Sequence, residues 1–135
     1  MAKNKNVSVV LSEKNYLAEA KASNHFLVID EPVASGGDDN GPTPVEYLLT
    51  AVGGCVSITL RMYAERKGWD VGKITVNLSQ KEELTPNGIK KSLLEEISFE
   101  NEITEEQKTK LLTIAGKCPV AKMVKGETEI ATSIQ

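Results

Sequence analysis

Two cysteines in very different settings carry the chemistry this chain offers, Cys55 in AVGGCVSITL and Cys118 in AGKCPVAK. They have no CxxC spacing, and the single histidine, His25, lies near neither in sequence. Two thiols and one distant imidazole are too few for four-coordinate zinc, so no metal and no cofactor are expected. The pair fits thiol redox chemistry, in which one sulfur is oxidised to a sulfenic acid and a second thiol captures it as a disulfide. The thiolate is the reacting form. At the ordinary pKa near 8.5 only ~3 % is thiolate at pH 7, against ~90 % at a pKa of ~6. Cys118, at a helix N-cap with Lys117 and Lys122 nearby, has a local reason for acidity in the unpaired N–H groups and the positive end of the helix dipole. Cys55 has none, being about three turns into its helix, unless Gly53-Gly54 breaks that helix. Either cysteine also reads as a small buried hydrophobe. Glu46 is a third candidate, although helix capping already accounts for it. His25 reads as a strand residue.

The elements that must position these groups are legible from patterning. VSVVLS (7–12), NYLAEAKA (15–22) and HFLVID (25–30) predict a three-stranded meander with turns at Glu13-Lys14-Asn15 and Ser23-Asn24. ASGGDDNGPT (34–43) is a loop by composition. Asp38, Asp39 and Asn40 do not make it a calcium loop, because the twelfth position from Asp38 is Leu49. Thr43-Pro44-Val45-Glu46 starts a helix with a capping box and proline at the first position. That helix runs to Lys67, stops at Gly68, and is apolar nearly all round before Arg61, which predicts burial on most sides. KITVNLSQ (73–80) and SLLEEISFENEI (92–103) predict two strands joined through Thr85-Pro86-Asn87-Gly88. Thr104 to Gln107 forms a second capping box for a helix ending near Gly116, with Leu111, Leu112 and Ala115 as its stripe. A short helix follows, with Cys118 at the N-cap, Pro119 first and VAKMVK running to Gly126. ETEIATSI (127–134) reads as a closing strand. The order is βββ-α-ββ-αα-β, an α+β fold around one long helix.

The 135 residues suit a single domain, 1–135. With 40 % hydrophobic and 26 % charged residues the balance is that of a soluble globular protein. A net charge of −3 and no dense Lys/Arg tract argue against nucleic acid and anionic membrane as partners. The beginning, MAKNKNVSVV, has no apolar core of a secretory signal. No uninterrupted apolar run reaches the ~18 residues of a membrane span. A cytoplasmic, reducing location is therefore expected, where two cysteines are free, catalytic or transiently bridged. Six short strands cover a long apolar helix only in part, so a homodimer sharing that helix is expected.

The run GGDDNGPTPVEYLLTAVGGCVSITLRMYAERKGW, with AGKCPVAK farther on, resembles the OsmC/Ohr family of osmotically inducible and organic-hydroperoxide-resistance proteins. The resemblance covers the chain from HFLVIDEP to the last predicted strand. It implies an intertwined homodimer with long central helices and a two-cysteine hydroperoxide reductase that needs no cofactor. In that mechanism Cys55 attacks the peroxide, Cys118 condenses with the sulfenic acid, and an external dithiol reduces the disulfide. Well-characterised members place a glutamate directly after the second proline, paired with an amino-terminal arginine. Here Val45 holds that place, Glu46 follows it, and no arginine precedes Arg61. The pattern looks closer to the OsmC-like branch often described as redox proteins. The alternative, from a different class, is a non-catalytic dimer that binds a small apolar molecule on the same scaffold.

Overall fold

Antiparallel pairing organises the amino-terminal unit, as the meander pattern predicts. In the computed structural model, which describes residues 5–13 and 15–135, this unit extends to Leu48 and a second unit starts at Leu49. Strand β1 (Val7–Leu11) pairs with β2 (Ala18–Ala22), and β2 with β3 (His25–Ile29), with Val9 opposite Ala20 and Ala20 opposite Leu27. Of the first predicted turn, Lys14 lies outside the described residues. After β3 a single 3₁₀ turn, Val33–Ser35, opens the expected loop. That loop is tied down from inside by Asp30, which is buried and accepts hydrogen bonds from the N–H groups of Glu31 at 2.7 Å and Asn40 at 3.1 Å. The backbone packs so closely that a Cβ at Gly37 would fall 2.0 Å from the Glu31 carbonyl oxygen, and one at Gly41 2.5 Å from that of Val28. Asp30 N–H reaches the Pro42 carbonyl at 3.1 Å, and the Tyr47 hydroxyl donates to the Val28 carbonyl at 2.7 Å, so strand end and helix start are held together.

Helix α1 (Pro44–Lys67) has the predicted bounds. Thr43 N–H donates to Glu46 Oε1 at 2.9 Å and Glu46 N–H to Thr43 Oγ1 at 3.2 Å, which is the reciprocal capping box. Its burial differs from expectation. Only Val52, Val56, Leu60 and Ala64 are fully buried, a single stripe at i, i+4, i+8 and i+12, while Leu48, Ile58 and Met62 remain exposed. The physical reason is lack of cover: one chain supplies packing for one face. By length and composition α1 would reach across a membrane, contrary to the estimate from uninterrupted apolar runs. In this fold its buried stripe is instead the centre of the carboxy-terminal unit.

That unit adds a long hairpin, β4 (Ile74–Thr85) and β5 (Gly88–Phe99), in register from Ile74 opposite Phe99 to Thr85 opposite Gly88. Both strands are longer at the turn than predicted, and Gly88 takes a φ of 116° there. β5 stops at Phe99 rather than 103. Glu100 N–H turns back to the Lys73 carbonyl, Asn101 N–H to that of Val71, and the Asn101 amide to Asp70, which lifts the chain off the ladder. Helix α2 (Glu105–Ala115) carries the second capping box, with Gln107 N–H donating to Thr104 Oγ1 at 3.1 Å. Leu111 and Ala115 are buried, but Leu112, predicted to join them, is 63 % exposed. Helix α3 (Pro119–Lys122) widens into a π turn over Met123–Glu127 that ends with Gly126 at a φ of 96°. The core gathers Val52, Val56, Leu60, Ala64, Val71, Leu111, Ala115 and Cys118. Each fully buried Val or Leu contributes about 1.5–3 kcal/mol. The closing strand predicted over 127–134 does not form. Residues 128–135 pair with no strand, and Ile130 and Ile134 are 89 % and 97 % exposed. A strand needs an edge to pair with, and within the described residues neither sheet takes up this segment. The fold is α+β, with two small sheets and three helices.

Candidate functional site

Both cysteines belong to the carboxy-terminal unit, and the fold brings them together. Cys55 stands on α1 directly before the buried Val56 and packs, half-buried, against the core cluster. Cys118 arrives from the other side. Docking of Leu111 and Ala115 fixes the end of α2, two turn residues follow, and Cys118 caps α3 with φ −60° and ψ 127°. Pro119 at the first helical position suits the fixed proline φ. The sulfur points inward, for Cys118 is 0 % exposed.

This orientation reverses the acidity expected from the cap. Burial pushes the Cys118 thiol up, and a hydrogen bond with Cys55 raises it further. The N–H groups of Ala121 and Val120 at the start of α3 pull the other way but are outweighed. No side-chain capping hydrogen bond forms. Desolvation of a thiolate inside an apolar cluster exceeds what a four-residue helix end returns. The site therefore pairs a partly accessible sulfur with a buried thiol that holds its proton.

Gly53 and Gly54 do not break α1. They separate in role. A Cβ on Gly53 would lie 2.8 Å from Leu78 Cδ1, so this glycine lets β4 come close, whereas a Cβ on Gly54 would meet nothing within 4 Å. An open cleft of about 430 Å³ lies here, with Leu49, Thr50, Gly53, Gly54 and Ser57 on one wall and Ile74, Val76 and Leu78 on the other. A second cleft, of about 690 Å³, runs between α1 and the end of α2.

The remaining candidates are placed as follows. Glu46 sits in the amino-terminal unit with its carboxylate in the capping box. His25 is exposed at the start of β3, opposite Ala22. Arg61, the first arginine of the chain, donates from Nη2 to the Gly72 carbonyl at 2.7 Å and so fastens α1 to the connection before β4. Among the described residues no group of three or more His, Cys, Asp or Glu side chains is placed to hold a metal ion. Asp30 escaped the sequence reading: a lone aspartate at a strand end carries no signal of burial. Its carboxyl is held below the usual range, chiefly by the Asn40 N–H, against the opposing cost of desolvation.

Comparison with known proteins gives a consistent picture. The family model described as OsmC-like protein matches residues 36–133. No curated protein sequence matches the chain. Among solved structures, the OsmC like protein from Mycoplasma pneumoniae superposes with a TM-score of 0.71 at 22 % identity, covering 94 % of this chain and 91 % of that one. The organic hydroperoxide resistance protein OsmC from Legionella pneumophila gives 0.70 at 14 % identity, over 93 % and 92 %. An organic hydroperoxide resistance protein from Elizabethkingia anophelis gives 0.69 at 17 % identity, over 94 % and 91 %. At these identities the likeness is one of fold.

Proposed function

The chain belongs to the OsmC-like protein family, and from that premise we propose that it is a cofactor-free thiol redox protein that reduces hydroperoxides through Cys55 and Cys118. The observation that carries this reading is the pair itself: a buried, protonated Cys118 hydrogen-bonded to a more accessible Cys55 inside one apolar cluster. The assignment of roles follows from access. A peroxide reaches the half-buried sulfur and not the fully buried one, so Cys55 is the nucleophile. Its thiolate takes the outer peroxide oxygen and becomes a sulfenic acid, while the inner oxygen leaves with a proton as the alcohol. The Cys118 sulfur then attacks the sulfenic sulfur, a disulfide forms, and the hydroxyl leaves as water. An external dithiol returns both thiols and is itself oxidised to a disulfide. Glu46 is reserved for its cap and has no assigned step.

The working unit is proposed to be a cytoplasmic homodimer. Support comes from the apolar face that α1 leaves open at Val45, Leu48 and Ile58, and from the unpaired tail with Ile130 and Ile134. Stopped-flow mixing with cumene hydroperoxide or hydrogen peroxide, followed by counting of free thiols, tests the redox reading. Loss of both thiols is expected in the wild type. In Cys118→Ser the oxidation should stop at the sulfenic acid, and no thiol loss with either oxidant would defeat the proposal. The second reading, a non-catalytic dimer that holds a small apolar molecule, is favoured by the cleft between α1 and β4. A Cys55→Ser variant that keeps full biological activity would select it.

A further inference from the structure

Glycine follows asparagine twice in this chain, at Asn40-Gly41 and Asn87-Gly88. Such a pair can rearrange without any enzyme. The glycine backbone nitrogen attacks the asparagine Cγ and gives up its proton, ammonia leaves, and a succinimide ring closes. Water then opens the ring to aspartate or, through the other carbonyl, to isoaspartate. Glycine permits the approach because it has no Cβ in the way. Closure also requires the connecting peptide to rotate, so a held backbone does not react. The structure treats the two pairs oppositely. Asn40 N–H donates to Asp30 Oδ2 at 3.1 Å, and the Pro42 carbonyl accepts from Asp30 N–H at 3.1 Å. Between them Gly41 is wedged against β3, where a Cβ would fall 2.5 Å from the Val28 carbonyl oxygen. Pro86, Asn87 and Gly88, by contrast, are all exposed at the tip of the β4–β5 hairpin, and a Cβ on Gly88 would meet nothing within 4 Å. The tip is held by its own ladder and by the Thr85 hydroxyl, which donates to the Gly88 carbonyl at 2.6 Å. Leu84 and Ile89, the next cross-strand pair, are 89 % and 64 % exposed. The hairpin joins the core cluster at Leu78 on β4 and Ile97 on β5. The stretch beyond them opens without disturbing the core.

We propose that Asn87 is a site of spontaneous covalent modification that matures to isoaspartate, and that Asp30 protects Asn40 from the same rearrangement. The inference is independent of the redox reading. Its product changes the hairpin in two ways. Isoaspartate runs the backbone through the side-chain carbon and so adds one atom to a two-residue turn. Thr85 and Gly88 then no longer face each other, the hydroxyl bond between them is lost, and the pairing of Leu84 with Ile89 loosens. The second change is in charge. A neutral amide gives way to a carboxylate close to Glu82, Glu83, Lys90 and Lys91. The hairpin tip thus ages at a rate set by its own local opening, while the loop after β3 does not.

The test is prolonged incubation of the full chain in warm buffer at neutral pH. Samples are digested, and each asparagine is followed by the mass gained when its amide is lost. Isoaspartate is counted with a methyltransferase that esterifies isoaspartyl carboxyls. In urea, where both backbones are free, Asn40 and Asn87 should convert at similar rates. In the folded protein Asn87 should stay within about threefold of its urea rate, while Asn40 slows by at least about tenfold. Asp30→Ala should abolish most of that protection at Asn40 and leave the Asn87 rate unchanged. Asn87→Gln should remove the isoaspartate signal from the folded chain. Similar rates at the two sites in the folded protein, faster conversion at Asn40, or no conversion at Asn87 overturns the inference. Full protection of Asn40 in a folded Asp30→Ala chain overturns the role given to Asp30. If the thermal midpoint shows that this variant does not fold, the ratio between the two sites in the wild type still decides.

Discussion

A thiol inside an apolar cluster and a thiol at its edge differ in reactivity even when they touch. Cys118 keeps its proton above the ordinary thiol range because burial and the hydrogen bond with Cys55 both favour the neutral form. Alkylation with iodoacetamide at pH 7.5, followed by peptide mass spectrometry, should therefore label Cys55 at least about tenfold faster than Cys118. Equal rates would contradict the placement of the two sulfurs. The same shift has a consequence for stability. A thiol whose folded pKa is raised stabilises the fold below the unfolded value and loses that contribution as pH rises through the folded value. Wild-type protein should lose stability on the alkaline side of the ordinary thiol range more steeply than Cys118→Ala. Asp30 works in the opposite direction. Its carboxyl is depressed, so its contribution is present above the ordinary aspartate pKa and fades as pH falls from there through the lowered value. Asp30→Asn should lower the thermal midpoint at pH 7 and flatten its fall in acid, and proteolysis should cut the 31–40 loop sooner.

Local rules placed the helices, and distance placed the sulfurs. Both capping boxes were readable because their reciprocal bonds join residues three apart, Thr43 with Glu46 and Thr104 with Gln107. Thr104→Ala should cost about 1 kcal/mol in urea unfolding, with no change in m. The meander and the long hairpin were readable from alternation. Less readable was the end of β5, decided by Asn101 reaching Asp70 across the connection after α1. The meeting of Cys55 with Cys118 was not legible in spacing at all. It depends on how Leu111 and Ala115 seat α2 on the core, and the resemblance to a known family supplied what local physics did not. The acidity assigned to Cys118 failed because an N-cap rule counts the helix N–H groups but not the desolvation of a sulfur buried in the core, which here outweighs them. The glycine pair of α1 separates into two outcomes. Gly54→Ala has open space and the helix propensity of alanine, which favours the single chain by about 1 kcal/mol. If that variant unfolds more readily or dissociates, another backbone rests against Gly54 in solution.

At the scale of the molecule, one chain leaves much apolar surface uncovered. The open residues of α1, the valines of β1 and the tail isoleucines are each exposed, and exposed apolar surface of this kind marks interaction sites. Light scattering at low concentration is expected to give a dimeric mass. Removal of residues 128–135 should shift the mass towards monomer, and a monomeric wild type would remove the dimer from the proposal. The contact between Cys55 and Cys118 has one more consequence, and it concerns the denatured chain. These residues lie on α1 and at the head of α3, so a disulfide between them would close most of the carboxy-terminal unit into a loop. In the chain-entropy account a loop of that length robs the unfolded ensemble of freedom worth about 4 kcal/mol. The oxidised protein would then melt well above the reduced one, and a melting curve would read out its recent encounters with oxidant.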